Sequence, residues 1–180
     1  MIIGLSGYAQ SGKDTVAKYL VEERGFERIA FADPIRDLLY EMNPIISLAA
    51  NEPMYLRPRV DHDGWDQAKK NPEVRRLLQE LGVGARKRVD EDIWVIAALR
   101  KMDEEAKNYV VTDVRFQNEA VMIKQASGHL WRVERQGVGP VNNHVSEHDL
   151  DNWEFDSFLH NNGSIEDLKF AVKTRLMQHV

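Results

Sequence analysis

Short apolar runs alternate along this chain with stretches whose apolar residues recur at helical spacing. The run Met1-Ile2-Ile3-Gly4-Leu5 predicts a buried strand, and beyond a glycine-rich loop Val16, Ala17, Leu20 and Val21 predict a helix over Asp14 to Arg24 with Gly25 as its stop. Phe26 to Ala32 reads as a second strand. Asp33 and Pro34 read as the cap and first turn of a helix through Ile35, Leu38, Leu39 and Met42 that stops near Asn43-Pro44. Between Pro44 and Lys70 prolines and charges blur the pattern, which predicts an irregular or partly helical excursion. Pro72 to Arg88 sets Val74, Leu77, Leu78 and Leu81 on one helical face, and Glu91 to Met102 predicts another amphipathic helix. Then follow a strand at Tyr109 to Asp113, a helix at Phe116 to Ser127, a strand at His129 to Glu134 and a loop from Arg135 to Asp151. Phe155 to His160 is a fifth strand, and Ser164 caps a last helix through Ile165, Leu168, Val172 and Leu176.

Strands alternating with helices predict an α/β fold: about five parallel strands with helices on both faces, three layers in all. Ligands of such sheets gather beyond the carboxyl ends of the strands. Gly7 to Thr15, Asp33, Asp113, Arg115 and Arg135 all fall at predicted strand ends, which points to one active site.

Composition narrows the picture. A chain of 180 residues, 43% hydrophobic and 29% charged, is an ordinary globular domain. One domain is expected over residues 1–180, with an insert at about 44–90 and a lid-like loop at about 135–151. A net charge of −5 provides no general attraction to nucleic acid or anionic membrane. The only dense basic block, Arg75, Arg76, Arg86, Lys87 and Arg88, is either a solvated helix face or an anion site. The chain has no cysteine, no basic leader before its first strand and no apolar stretch of about 20 residues, so a soluble, cytoplasmic protein is expected.

The chemistry concentrates in Gly7-Tyr8-Ala9-Gln10-Ser11-Gly12-Lys13-Asp14-Thr15. Two glycines bracket four residues and a lysine follows, between a strand and a helix, which is the spacing and context of a phosphate-binding loop. Backbone N–H groups of such a loop turn inward on an anion, the helix start adds its positive end, and the Lys13 ammonium reaches the outer phosphates. A triphosphate is the natural guest. Asp14 stands where a hydroxyl usually meets the metal, and Thr15 follows one place later. Asp14 and Thr15 are the metal candidates, directly or through water, while the alternative for Asp14 is a first-turn acid favoured by the helix dipole. Tyr109 to Asp113 looks like the apolar strand ending in Asp that accompanies such loops. Asp61-His62-Asp63 lacks the later ligands of a calcium loop, and His144 with His148 lacks a clear third zinc ligand.

The stretches GYAQSGKDT (7–15), FADPIR (31–36), GWDQAK followed by PEVRRLLQELG (64–82), EDIWV (91–95), TDVRFQNEA (112–120) and SEHDLDNWEFDSFLHNNGSIEDL (146–168) resemble bacteriophage-type deoxynucleoside monophosphate kinases, in collinear order over nearly the whole chain. That family carries the GKDT variant. The resemblance implies the P-loop nucleoside monophosphate kinase fold and the reaction of ATP with a dNMP, needing magnesium, in a homodimer. By matching position, Asp33, Arg36, Arg75, Arg76, Gln79 and Arg115 would hold the acceptor together with Asp113, and Arg132 or Arg135 would close over the moving phosphoryl group. The stretch from Gln136 to Asn143 departs from the family lid, being short and without arginine. Two other readings stay open. In a hydroxyl kinase resembling dephospho-coenzyme A kinase, Asp33 would be the general base; a P-loop switch would pass phosphate to water.

Overall fold

The computed structural model describes residues 1–49, 52–102, 108–141 and 145–178. In chain order its elements are β1 (Ile2–Ser6), α1 (Lys13–Arg24), β2 (Glu27–Ile29), α2 (Asp33–Met42), β3 (Ile45–Ala49), β4 (Glu52–Tyr55), α3 (Leu56–Ala68), α4 (Pro72–Arg88), α5 (Ile93–Leu99), β5 (Tyr109–Val111), α6 (Gln117–Gln125), β6 (His129–Glu134), α7 (Val145–His148), β7 (Ser157–His160) and α8 (Ile165–Gln178). They form two compact units, Met1–Ala30 with Leu99–Val180, and Phe31–Ala98. The insert expected at 44–90 falls within the second. No described helix is long and apolar enough to cross a membrane.

The first unit is built on an α/β sheet in the strand order β2-β5-β1-β6-β7. Every pairing in it is parallel. The five parallel strands foreseen from the sequence are therefore present. Ile3 and Leu5, alternate residues of β1, are fully buried and pack with Val16 and Leu20 of α1, Leu168 and Val172 of α8, and Trp131 and Val133 of β6. Strand alternation thus puts one face of the sheet against α1 and α8, while on the other Ala120 and Ile123 of α6 are buried. Among the tryptophans, Trp131 is fully buried in this unit, which also holds Trp153.

Four boundaries in this unit differ from expectation for local reasons. β2 stops at Ile29, because β5, its one partner, offers only Tyr109 to Val111 for pairing. Thr112 N–H adds one more bond, to Ile29 O at 3.0 Å, and Asp113 follows past the ladder at the carboxyl edge. Phe155 lies outside β7, its ring edge-on to Phe158 at 5.7 Å. The loop expected from Arg135 to Asp151 contains the short helix α7. Ser164 does cap α8: Asp167 N–H donates to Ser164 Oγ at 3.2 Å, and Ser164 N–H donates to Asp167 Oδ2 at 2.9 Å.

The second unit has its own core, in which Leu39, Ile46, Leu56 and Val74 are buried, with Trp65, Leu77, Leu78 and Leu81 packed against them. Trp94 is buried here too, its indole N–H donating to Gly82 O at 2.9 Å. The excursion expected over 44–70 to be irregular or partly helical opens instead with an antiparallel hairpin, β3 with β4, and its helical part is α3. Pro53 is tolerated because both strands of a two-stranded ribbon are edges. Gly64 (φ 75°, ψ 166°) breaks α3 and shifts its phase, which erases the helical period. Asp33 is the first residue of α2 rather than its cap; Ala32 takes the cap position without a side-chain bond. α4 begins as expected at Pro72, with Asn71 Oδ1 accepting from Glu73 N–H at 2.8 Å.

Candidate functional site

The loop between β1 and α1 makes its turn with Gly7 at φ 139°, Gln10 at φ 64° and Gly12 at φ 111°. A side chain at Gly7 would be strained, and its Cβ would lie 2.3 Å from the carbonyl oxygen of Val133 in the neighbouring strand. The loop is thereby pressed against β6. Gly12 N–H and the N–H groups of Lys13, Asp14 and Thr15, at the start of α1, have no acceptor among the described residues. Unclaimed donors at a helix start form an anion cradle.

Lys13 lies over this cradle. Its Nζ donates to the carbonyls of Gly7 and Tyr8, each at 2.7 Å. Burial is the larger cause, and the Arg115 guanidinium the second, that push its pKa down to about 8 against the opposing charges of Asp14, Glu147 and Asp113. Two cations held together in a half-buried site make a receptor for anions.

Arg115 follows β5. Its backbone N–H donates to Glu119 Oε2 at 2.7 Å, as does that of Phe116 at 3.0 Å, so the buried Glu119 in the first turn of α6 fixes where Arg115 leaves the sheet. Its Nη1 donates to Glu147 Oε1 of α7 at 3.1 Å. Arg132 of β6 is enclosed: the Tyr8 ring lies 5.1 Å and the Phe155 ring 5.4 Å from its guanidinium carbon. It also pairs with Glu134 and Asp151, both at 3.4 Å. Asp151 accepts in addition from Tyr8 OH at 3.0 Å and bonds His148 Nδ1 at 2.9 Å. The His148 bond first, then Tyr8 and Arg132, hold the Asp151 carboxyl below the usual carboxylate range. Tyr8, inside the loop, is thus tied to the segment after α7. Beyond the loop, Tyr8, Ser11, Arg135, Gln136 and His160 line a cleft of about 260 Å³. Arg135 has no ion-pair partner there among the described residues.

The predicted residues accordingly fall into two groups. Gly7 to Thr15, Asp113, Arg115, Arg132 and Arg135 belong to the first unit, and Asp33, Arg36, Arg75, Arg76 and Gln79 to the second. In the second, Arg36 Nη1 pairs with Asp33 Oδ1 at 2.7 Å. Lys69 joins them, its pKa lowered by burial first and by Arg36 next. Arg75 reaches the Lys69 carbonyl at 3.5 Å. Arg76 is engaged elsewhere, by Glu73 and Glu80 at 2.6 Å each, and Gln79 is exposed.

Glu147, Asp151, Glu119 and Lys69 were not found from the sequence. Glu119 had a usable signal, an acid three residues into a helix beside a helix start. The others come from distant segments without any local motif. The acids weighed for calcium serve α3 instead: Asp61 accepts from Tyr40 OH at 2.7 Å, and Asp63 pairs with Arg59 at 2.8 Å. His144 lies outside the described residues.

ATP and magnesium fit this donor set. The N–H groups and Lys13 suit phosphate oxygens. No group of three or more His, Cys, Asp or Glu among the described residues forms a metal cage. One carboxylate and one hydroxyl, Asp14 and Thr15, suit an ion that keeps water and phosphate oxygens as its other ligands.

The family described as deoxynucleotide monophosphate kinase has a sequence profile that matches residues 1–70 and 65–172. A protein of Acanthamoeba polyphaga mimivirus, provisionally named a deoxynucleotide monophosphate kinase, is 31% identical over 93% of this chain and 91% of its own length. Solved structures similar to the chain include dephospho-CoA kinase from Campylobacter jejuni (14% identity, 99% of this chain, 96% of that one, TM-score 0.46). Shikimate kinase from Aquifex aeolicus vf5 is another (13% identity, 99% and 98%, TM-score 0.46).

Proposed function

The chain belongs to the deoxynucleotide monophosphate kinase family and is a phosphotransferase, and from that premise we propose the reaction ATP + dNMP → ADP + dNDP. The observation that carries this reading is the half-buried Lys13 ammonium, set beside Arg115 over a cradle of unclaimed N–H groups. Such a site stabilises the charge of a moving phosphoryl group, which is most of what phosphoryl transfer asks of a protein.

In this reading Gly7 to Thr15 bind the donor's phosphates and Lys13 neutralises the outer ones. Arg115 grips phosphate with a planar fork that fixes direction as well as charge, and Glu147 holds that fork in place beforehand. Arg135 or Arg132 closes over the transferred group, and Asp113, past the end of β5, adds its charge near Lys13 and is assigned to the acceptor side. Asp33, Arg36, Arg75, Arg76 and Gln79 are assigned to the acceptor nucleotide, Arg76 exchanging its two glutamates for the ligand. Magnesium, when bound, would neutralise phosphate charge next to Asp14 and Thr15. A monophosphate with a second pKa of about 6 is already dianionic at neutral pH, so no general base is needed. Asp33, whose Oδ1 accepts from Arg36, is correspondingly the weaker choice for a base. A homodimer is part of the proposal on the general ground that two-fold pairs are the commonest assemblies.

The test is coupled ADP release with a panel of dNMPs, with dephospho-coenzyme A and with no acceptor. Turnover only with dNMPs is expected. Turnover with dephospho-coenzyme A alone would transfer the assignment to a hydroxyl kinase, and equal turnover without acceptor to a hydrolase.

A further inference from the structure

Asn161 follows the last strand and belongs to no motif of the phosphate loop, yet it touches that loop from 150 residues away. Its backbone N–H donates to Glu134 O at 2.7 Å, which continues the β6–β7 ladder by one bond and fixes the residue at the carboxyl edge of the sheet. Its side-chain Nδ2 donates to Ser11 O at 2.9 Å. The carboxamide lies so close to Gly12 that a Cβ there would stand 2.4 Å from Nδ2 and 3.2 Å from the amide carbon. Gly12 therefore answers to two demands at once, its φ of 111° and the nearness of Asn161.

The Ser11–Gly12 peptide is trans, since no cis bond occurs among the described residues, so its C=O and N–H point in opposite directions. Holding Ser11 C=O on Asn161 consequently turns Gly12 N–H away from Asn161. The same bond draws Ser11 C=O toward Asn161, and Thr15 N–H, four residues on, makes no helical bond to it. Val16 N–H, one residue on, makes the first helical bond, to Gly12 O at 3.1 Å. The N-cap residue Gly12 has no side chain with which to organise this helix start. A carboxamide from elsewhere does that work.

We propose that Asn161 is a positioning residue of the phosphate cradle: by holding Ser11 C=O it aims Gly12 N–H at the donor's phosphates and keeps Thr15 N–H available. This rests on the reading of the loop as the donor site. Asn162 extends the arrangement, its Oδ1 accepting from Gln136 N–H at 2.7 Å, so that neighbouring asparagines hold the loop on one side and the segment after β6 on the other.

The experiment uses the full chain and ADP with magnesium as calorimetric probe, with thermal melting as the check on folding. Asn161→Leu keeps the volume and removes the donor; Asn161→Asp keeps the shape and puts an oxygen against the Ser11 carbonyl. Both should weaken ADP by about tenfold or more, the scale of one hydrogen bond that organises a charged ligand, while KM for the dNMP stays within about twofold. If Asn161 only filled space under Gly12, Asn161→Leu would bind ADP like the wild type, and the proposal would be overturned. The wild type gives a second readout should either variant fail to fold. In its ¹⁵N spectrum the Gly12 amide should move on addition of ADP and magnesium, and the Asn161 side-chain amide should exchange slowly with solvent. A Gly12 amide that stays still while those of Lys13 and Asp14 move sinks the idea. Absence of any ADP binding by the wild type would instead refute the donor-site reading itself.

Discussion

Lys13→Ala removes the ammonium and leaves the carbonyls of Gly7 and Tyr8 to water, so the fold should persist while turnover falls by more than about 100-fold. A folded mutant with near-normal rate would dismiss the loop as the donor site. The wild-type lysine should also set a pH limit. With its pKa lowered to about 8 in the free protein, kcat/KM for ATP should decline as pH rises through that value, and the limb should be missing in Lys13→Ala. A flat profile to pH 9.5 or so would place the lysine outside donor binding. The stability linkage follows the same sign: the folded chain holds this proton less tightly than the unfolded chain. The penalty of burying the ammonium is thus fully present below pH 8 and fades as pH rises toward the ordinary lysine range. Arg115→Lys keeps charge but loses the fork that Glu147 holds, and should lower kcat/KM for every dNMP by a similar factor with little change in KM for ATP. Loss confined to one base, or to ATP, would remove Arg115 from the acceptor's phosphate. Lys13 and Gly12 could be read from the sequence because their meaning lies in spacing over nine residues. Glu147, Asp151 and Asn161 could not, because they reach the loop only once β6, α7 and β7 are in place.

At the scale of elements, periodicity was most informative where one face of a helix or strand meets a core. The buried pattern of β6 and the Val74–Leu81 face of α4 were legible for that reason. The β3–β4 hairpin was not, since all four residues of β4 are exposed and a single buried residue of β3, Ile46, does not impose alternation. α3 was hidden by the break at Gly64, and β2 looked long because Ala30 and Phe31 are buried beyond Ile29, the last residue of its ladder. Local capping chemistry, in contrast, reads well. Ser164→Ala should lower stability by about 1 kcal/mol, seen as an earlier urea midpoint with unchanged slope, because Asp167 N–H loses its acceptor at the start of α8. No shift would mean that the helix start is held by its burial alone.

For the whole molecule, the parallel sheet was legible from alternating elements, whereas the division at Ala30/Phe31 and Ala98/Leu99 was not, because no change of composition marks it. The placement of the tryptophans has a further, optical consequence. Trp131 and Trp153 lie in one unit and Trp65 and Trp94 in the other, so ultraviolet emission carries a separate signal from each. A chain with Trp65→Phe and Trp94→Phe glows only from the first unit, where the fully buried Trp131 should emit toward the blue. Its counterpart with Trp131→Phe and Trp153→Phe glows only from the second. Each signal is best read against the wild-type melting curve obtained by circular dichroism. The smaller apolar cluster around Leu39, Ile46, Leu56 and Val74 should redden first as urea is raised, and coincident midpoints in the two chains would mean that both units melt as one. Colour then serves as a local thermometer for each half of the protein, with no dye attached.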